Sequence, residues 1–124
     1  MPVNIRVVGD VVVLSSFGRL MNDPRHFDAS RDVEELLDQG VSAFVIELRE
    51  VGTLGPAGLG LLTTLTRAVR RDGGELVLAS VRPALAAHLE EMRMDTFWDV
   101  FPSVDAAKAD FIRRGVHPAE GETA

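Results

Sequence analysis

At 124 residues the chain has the length of one domain around a single hydrophobic core, and its 46% apolar and 26% charged residues are those of an ordinary globular protein. A formal net charge of −6 argues against a basic, nucleic-acid-binding face, so no nucleic-acid partner is expected. With no cysteine, the chain excludes disulfides, thiolate metal sites and cysteine nucleophiles.

The opening "MPVNIRVVGD" lacks a charged-then-apolar signal pattern, and no apolar run approaches the roughly 18 residues of a membrane span. The expectation is a cytoplasmic protein without membrane insertion. "NIRVV" and "VVVLSSF" read as strands flanking Gly9-Asp10, a pair that tolerates positive φ and suits a hairpin turn. Asp23 before Pro24 fits an N-cap and first helical position; Ala29, Val33, Leu36 and Leu37 then recur at helical spacing until Gly40. "VSAFVIEL" is apolar on both faces, as a strand covered by helices should be.

A second helix is predicted from Pro56, with Leu61, Leu65 and Ala68 in one stripe, Leu62 and Val69 beside it, and Arg67, Arg70 and Arg71 facing outward. Asp72-Gly73-Gly74 ends it and "ELVLASV" follows as a strand. Pro83 opens a helix with Leu85, Leu89 and Met92 on one face, and "FWDVF" reads as a last short strand. Ser103 caps a final helix carrying Val104, Ala107, Phe111 and Ile112, which Gly115 stops. Residues 1–114 form the expected domain, and the polar tail 115–124 is expected to be disordered. The order β-β-α-β-α-β-α-β-α implies an α/β fold with a mixed, mostly parallel sheet and helices packed on it.

One stretch asks for an explanation. "LREVGTLGPAGLGLLTTL", residues 48–65, is a strand-to-helix junction with four glycines and a proline, yet it carries no Ser, Thr or Lys between Gly55 and Leu62. Without the Lys-Ser/Thr of a P-loop or a spaced G-x-G-x-x-G, it is not a nucleotide loop. Two readings remain: the glycines merely permit a tight turn, or the turn is a surface on which something docks. Thr53, Thr63, Thr64 and Thr66 are the nearest hydroxyls and read as ordinary strand-end and helix residues.

Elsewhere little assembles into chemistry. His26, His88 and His117 lie in different elements, and His26-x-Asp28 reads as a solvated pair rather than a metal site. Glu90 and Glu91 are adjacent on a helix and point apart. In "MRMDTFW", Met92, Met94, Phe97 and Trp98 read as core and core edge. No nucleophile, base and oxyanion set forms, so neither an enzyme nor a cofactor or metal is expected.

Three spaced elements carry a resemblance over roughly residues 5–114. "FVIELREVGTLGPAGLGLL" resembles the apolar strand followed by V-x-x-(hydrophobic)-D-S-S/T-G-L-G of STAS domains, the sulfate-transporter and anti-sigma-factor-antagonist family. "GGELVLASVRPALAAHLEEM" and "FWDVFPSVDAAKADF" are similar to that family's later strand–helix element and its closing strand, capping serine and Ala-rich helix. The likeness is to stand-alone bacterial members.

The chain departs from the family at the point where the switch lies. With Gly58-Leu59-Gly60 on the family's Gly-Leu-Gly, Gly55 stands for the Asp, Pro56 for the first Ser, and Ala57 for the phosphoacceptor. "GRLM" at 18–21 replaces Gly-Glu-Leu-Asp. The resemblance implies a regulatory protein that docks on an anti-sigma factor or serine-kinase-like partner, with no phosphoacceptor at the family position. The implied docking residues are Leu54, Gly55, Pro56, Ala57, Gly58 and Leu59. The alternative it implies is a structural subunit, either a scaffold in a signalling assembly or a partner of a lipid-transport ATPase.

Overall fold

The computed structural model describes residues 4–8, 10–15, 28–52 and 54–115. Among the described residues five strands and four helices run in the expected order: β1 (Asn4–Val8), β2 (Val11–Ser15), α1 (Asp28–Asp38), β3 (Ala43–Glu47), α2 (Pro56–Arg71), β4 (Glu75–Ala79), α3 (Pro83–Glu91), β5 (Val100–Phe101) and α4 (Val104–Arg113). The strands lie side by side in sequence order. β1 is antiparallel to β2, while β2, β3, β4 and β5 are parallel to their neighbours. The sheet is therefore mixed and mostly parallel. Gly9 of the hairpin turn, the Asp23-Pro24 helix start, the "GRLM" segment and the polar tail beyond Gly115 lie outside the described residues.

The topology dictates the layers. Parallel strands laid down in sequence order and joined by right-handed crossovers put every crossover helix on the same face. α1, α2 and α3 accordingly share one face, where Val12, Leu14, Phe44, Ile46, Leu76 and Leu78 point into a core with Val33, Leu62, Leu65 and Leu85. α4 follows the last strand and covers the other face, where Val104, Ala107 and Phe111 meet Val11, Val13, Ala43, Val45 and Val77. The strict alternation of 44 and 46 against 43 and 45 is the period of two of a strand buried on both faces. On α2, Leu61, Leu62, Leu65 and Val69 are buried as expected, and each such fully buried side chain contributes about 1.5–3 kcal/mol.

Local stops and caps hold as well. Ser103 accepts a hydrogen bond from the Ala106 amide at 3.1 Å and so caps α4. After α2, Gly73 turns the chain with φ +88°, and the Gly74 amide bonds back to Val69 O at 2.9 Å. Gly74 then passes so close to the chain entering β3 that a Cβ there would stand 2.5 Å from Ser42 O. Glycine is required at that point.

Three expectations are corrected. Arg70 does not face outward: its side chain is 33% exposed, Nε donates to Glu75 Oε1 at 2.8 Å, Nη2 donates to Phe97 O at 2.6 Å, and the guanidinium lies 4.7 Å from the Phe97 ring centre. "FWDVF" is strand only at Val100–Phe101; Trp98 instead turns into the core, and its indole donates to Thr66 Oγ1 at 2.7 Å. Phe97 stands edge-on to it, with ring centres 4.7 Å apart. Ile112, expected on the apolar stripe of α4, is exposed, because α4 is tied over the sheet by Val104, Ala107 and Phe111 alone.

Candidate functional site

The β3–α2 junction lies beyond the carboxyl end of a parallel strand, where α/β sheets commonly present their binding residues. Three apolar side chains fasten it. Leu48, Val51 and Leu54 are all buried in the core of the three-helix face. The Leu48 amide donates to Ala79 O and the Val51 amide to Leu48 O, both at 3.0 Å, which holds the loop against the end of β4. Gly55 is the N-cap, in extended conformation at φ −80° and ψ 177°, with no side-chain cap. Pro56 follows at the first helical position, where its missing N–H costs nothing, and the Leu59 amide makes the first helical bond to Gly55 O at 2.9 Å.

The six residues picked out by the sequence do not all reach the surface. Gly55, Pro56 and Ala57 are exposed and Leu59 is half-buried. Gly58 is buried, and Leu54, at 5% exposure, belongs to the core rather than to the surface patch. Gly60, within the same helix start though not one of the six, is exposed as well. The signal for it was present, because Ala57 and Gly60 are three apart on a helix and share a face. Thr64, one turn on, is exposed on the same side. The accessible patch is thus small: two glycines, a proline, an alanine and the flank of a leucine.

Tight-turn geometry does not account for this composition. At Gly55 and Gly60 the backbone is not left-handed, and a Cβ added at either would meet no atom within 4 Å beyond its chain neighbours and the backbone of its own helix. The chain's own packing leaves room for larger residues at both. A glycine inside a helix, as at Gly60, costs about 0.5–1 kcal/mol against alanine. Smallness here is therefore unexplained by the fold.

The neighbouring hydroxyls are differently placed. Thr66 is fully buried, donating to Leu62 O at 2.7 Å while accepting from Trp98. Thr63 donates to Leu59 O at 2.8 Å and is half-buried, Thr64 is exposed, and Thr53 lies outside the described residues. Charge borders the turn on the β4 side, where Arg82 Nε donates to Arg49 O at 2.8 Å and the Arg49 guanidinium is 4.0 Å from Glu47. His88 is on α3, 3.8 Å from Glu91, with Glu90 exposed beside it; His26 and His117 lie outside the described residues. Among the described residues no three His, Asp or Glu side chains converge as metal ligands, and no helix is long and apolar enough to cross a membrane.

Several solved structures share this fold. A candidate anti-sigma factor antagonist from Thermotoga maritima superposes with a TM-score of 0.71 at 18% identity, covering 87% of this chain and 92% of that one. RsbS of Moorella thermoacetica, in a serine-to-glutamate variant, gives 0.63 at 24% identity over 91% and 99% of the two chains. The Bacillus cell fate determinant SpoIIAA in its phosphorylated form gives 0.62 at 12% identity over 88% and 98%. No curated protein matches the sequence significantly. The STAS domain description fits residues 3–107, and the chain belongs to the STAS domain family.

Proposed function

We propose that this STAS domain is a non-enzymatic regulatory binding protein of the anti-sigma-factor-antagonist kind. It docks through Gly55, Pro56, Ala57 and Gly60 on an anti-sigma factor of the serine-kinase type, so that the partner releases its target. The observation that carries the reading is the exposed, small-residue start of α2, whose glycines at 55 and 60 the fold itself does not need. A partner helix that approaches the backbone closely needs that absence of side chain. The names of the structural neighbours from Thermotoga maritima and Planctomyces limnophilus, both anti-sigma-factor antagonists, support an anti-sigma factor as the class of partner.

The interface is fixed in one state. A phosphate at the family position would sit among free amides in the positive field of a helix N-terminus. Ala57 has no side-chain hydroxyl to carry it, and Pro56 removes one of the donors. Docking is then governed by the amounts of partner and competitor rather than by phosphorylation of this chain.

Ala57→Asp tests the docking. A carboxylate in the first helical turn is favoured by about 0.3–1 kcal/mol when exposed, so the fold and melting temperature should be retained. Buried unpaired in an interface it is heavily penalised, so calorimetric affinity for an anti-sigma kinase that binds the wild type should fall at least tenfold, about 1.4 kcal/mol. Unchanged affinity would rule the patch out. With the same kinase and ATP, peptide mapping should find no phosphate at residues 53–66. A stoichiometric phosphothreonine there would show a displaced switch.

A further inference from the structure

A second surface, sharing no residue with the α2 patch, lies where α3 meets the open edge of the sheet. There a groove of about 520 Å³ runs between Pro83, Ala86 and Ala87 on α3 and Val100 on β5, floored by Val81 and Leu89. It is apolar at its base, and Val100 is 46% exposed, one of few large apolar side chains left in water among the described residues. Its rim is acidic. Glu90 and Asp95 line it, both exposed, and no lysine or arginine does so among the described residues.

The backbone adds direction. β5 is the last strand of the sheet. β4 uses Asp99 O and Phe101 O as acceptors, from the Leu78 and Ser80 amides, each at 3.0 Å. In a parallel ladder the residue between them turns its N–H and C=O the other way, so Val100 presents a donor and an acceptor to the open edge. Pro102 ends the edge one residue beyond Phe101. An edge with a paired donor and acceptor beside an apolar groove is the geometry that accepts an added strand.

We propose that a basic, aliphatic, extended segment of a partner protein docks along β5, bonding to the Val100 backbone, with its apolar side chains in the groove and its cations against Glu90 and Asp95. Complementary charge selects the occupant. An acidic segment would be repelled, and a second copy meeting this face symmetrically would bring two acidic rims together.

The test uses the whole chain, 15N-labelled, titrated with the heptapeptide KSVSVSK, whose strand alternation puts both lysines and both valines on one face. Saturable shifts should centre on the amides of Val100, Ala86 and Ala87, and the acidic counterpart ESVSVSE should produce none. Ala87→Trp, which fills the groove from an exposed helix position, and the pair Glu90→Lys with Asp95→Lys should each weaken binding at least tenfold with melting temperature retained. The proposal is overturned if no saturable shift occurs at β5 and α3, or if both variants bind as the wild type does. It is equally overturned if Glu34→Lys with Asp38→Lys, on distant α1, weakens binding as much, since the attraction would then be general. Self-association in sedimentation that Ala87→Trp abolishes would assign the groove to a second copy instead.

Discussion

Arg70 and Thr66 each serve two neighbours, and both reach across to the segment that leads into β5. Thr66 Oγ1 receives the Trp98 indole N–H in a fully buried site, so Thr66→Val leaves a buried donor without a partner. That loss costs about 1–3 kcal/mol. Arg70 holds the Phe97 carbonyl and the Glu75 carboxylate together, and Glu75 Oε1 also accepts from the Leu76 amide at 2.8 Å. Arg70 is about one-third exposed, and solvent screening discounts its bonds, so Arg70→Ala should cost about 1–2 kcal/mol, whereas Arg67→Ala on the exposed face should cost less than about 0.5 kcal/mol. Urea unfolding followed by the emission of Trp98, the only tryptophan, measures all three. Equal effects at Arg70 and Arg67 would show that the brace contributes nothing. None of this was visible in the helical pattern, because on a wheel Arg70 stands beside Arg67 and Arg71, and its partners become neighbours only through the fold.

At the scale of elements, the helix ends repeat one device with one exception. α1 and α2 finish with glycine in the left-handed region, Gly40 at φ +96° and Gly73 at φ +88°, each followed by paired backward bonds to the last turn. α3 makes the same pair, from Met94 N to Leu89 O at 2.8 Å and from Arg93 N to Glu90 O at 3.0 Å, but with Arg93 in the left-handed position at φ +60°. A side chain there costs about 1–2 kcal/mol, partly offset by the entropy that glycine loses on folding. Arg93→Gly should therefore stabilise the domain by about 0.5–1 kcal/mol in thermal or urea unfolding. A destabilised variant would mean that the Arg93 side chain holds α3 in place.

For the molecule as a whole, the sheet grades from a sealed centre to an open edge. Phe44, Val45 and Ile46 on β3 are fully buried between two parallel neighbours and under helices on both faces, while β5 is two residues long with one neighbour. Native-state hydrogen exchange should find the β3 amides protected up to global unfolding and the Phe101 amide exchanging at least tenfold faster, about 1.4 kcal/mol, through local opening. Equal protection would show that β5 unfolds only with the core.

The element order, the Pro56 helix start, the Ser103 cap and the Gly73-Gly74 stop were legible in the sequence, because each depends on residues within a few positions of one another. The glycine-rich strand-to-helix junction was legible for the same reason, as a local run of glycine, proline and alanine. What the run could not show was direction. Leu54 turns into the core and Gly60 out to solvent, which depends on where β4 and the sheet lie. Phe97 and Trp98 alternate like strand residues, yet Trp98 is drawn into the core by apolar burial and by Thr66, 32 residues away. Local propensity is written along the chain, whereas burial, bracing and grooves are decided by side chains far apart in sequence, whose contacts leave no periodic trace.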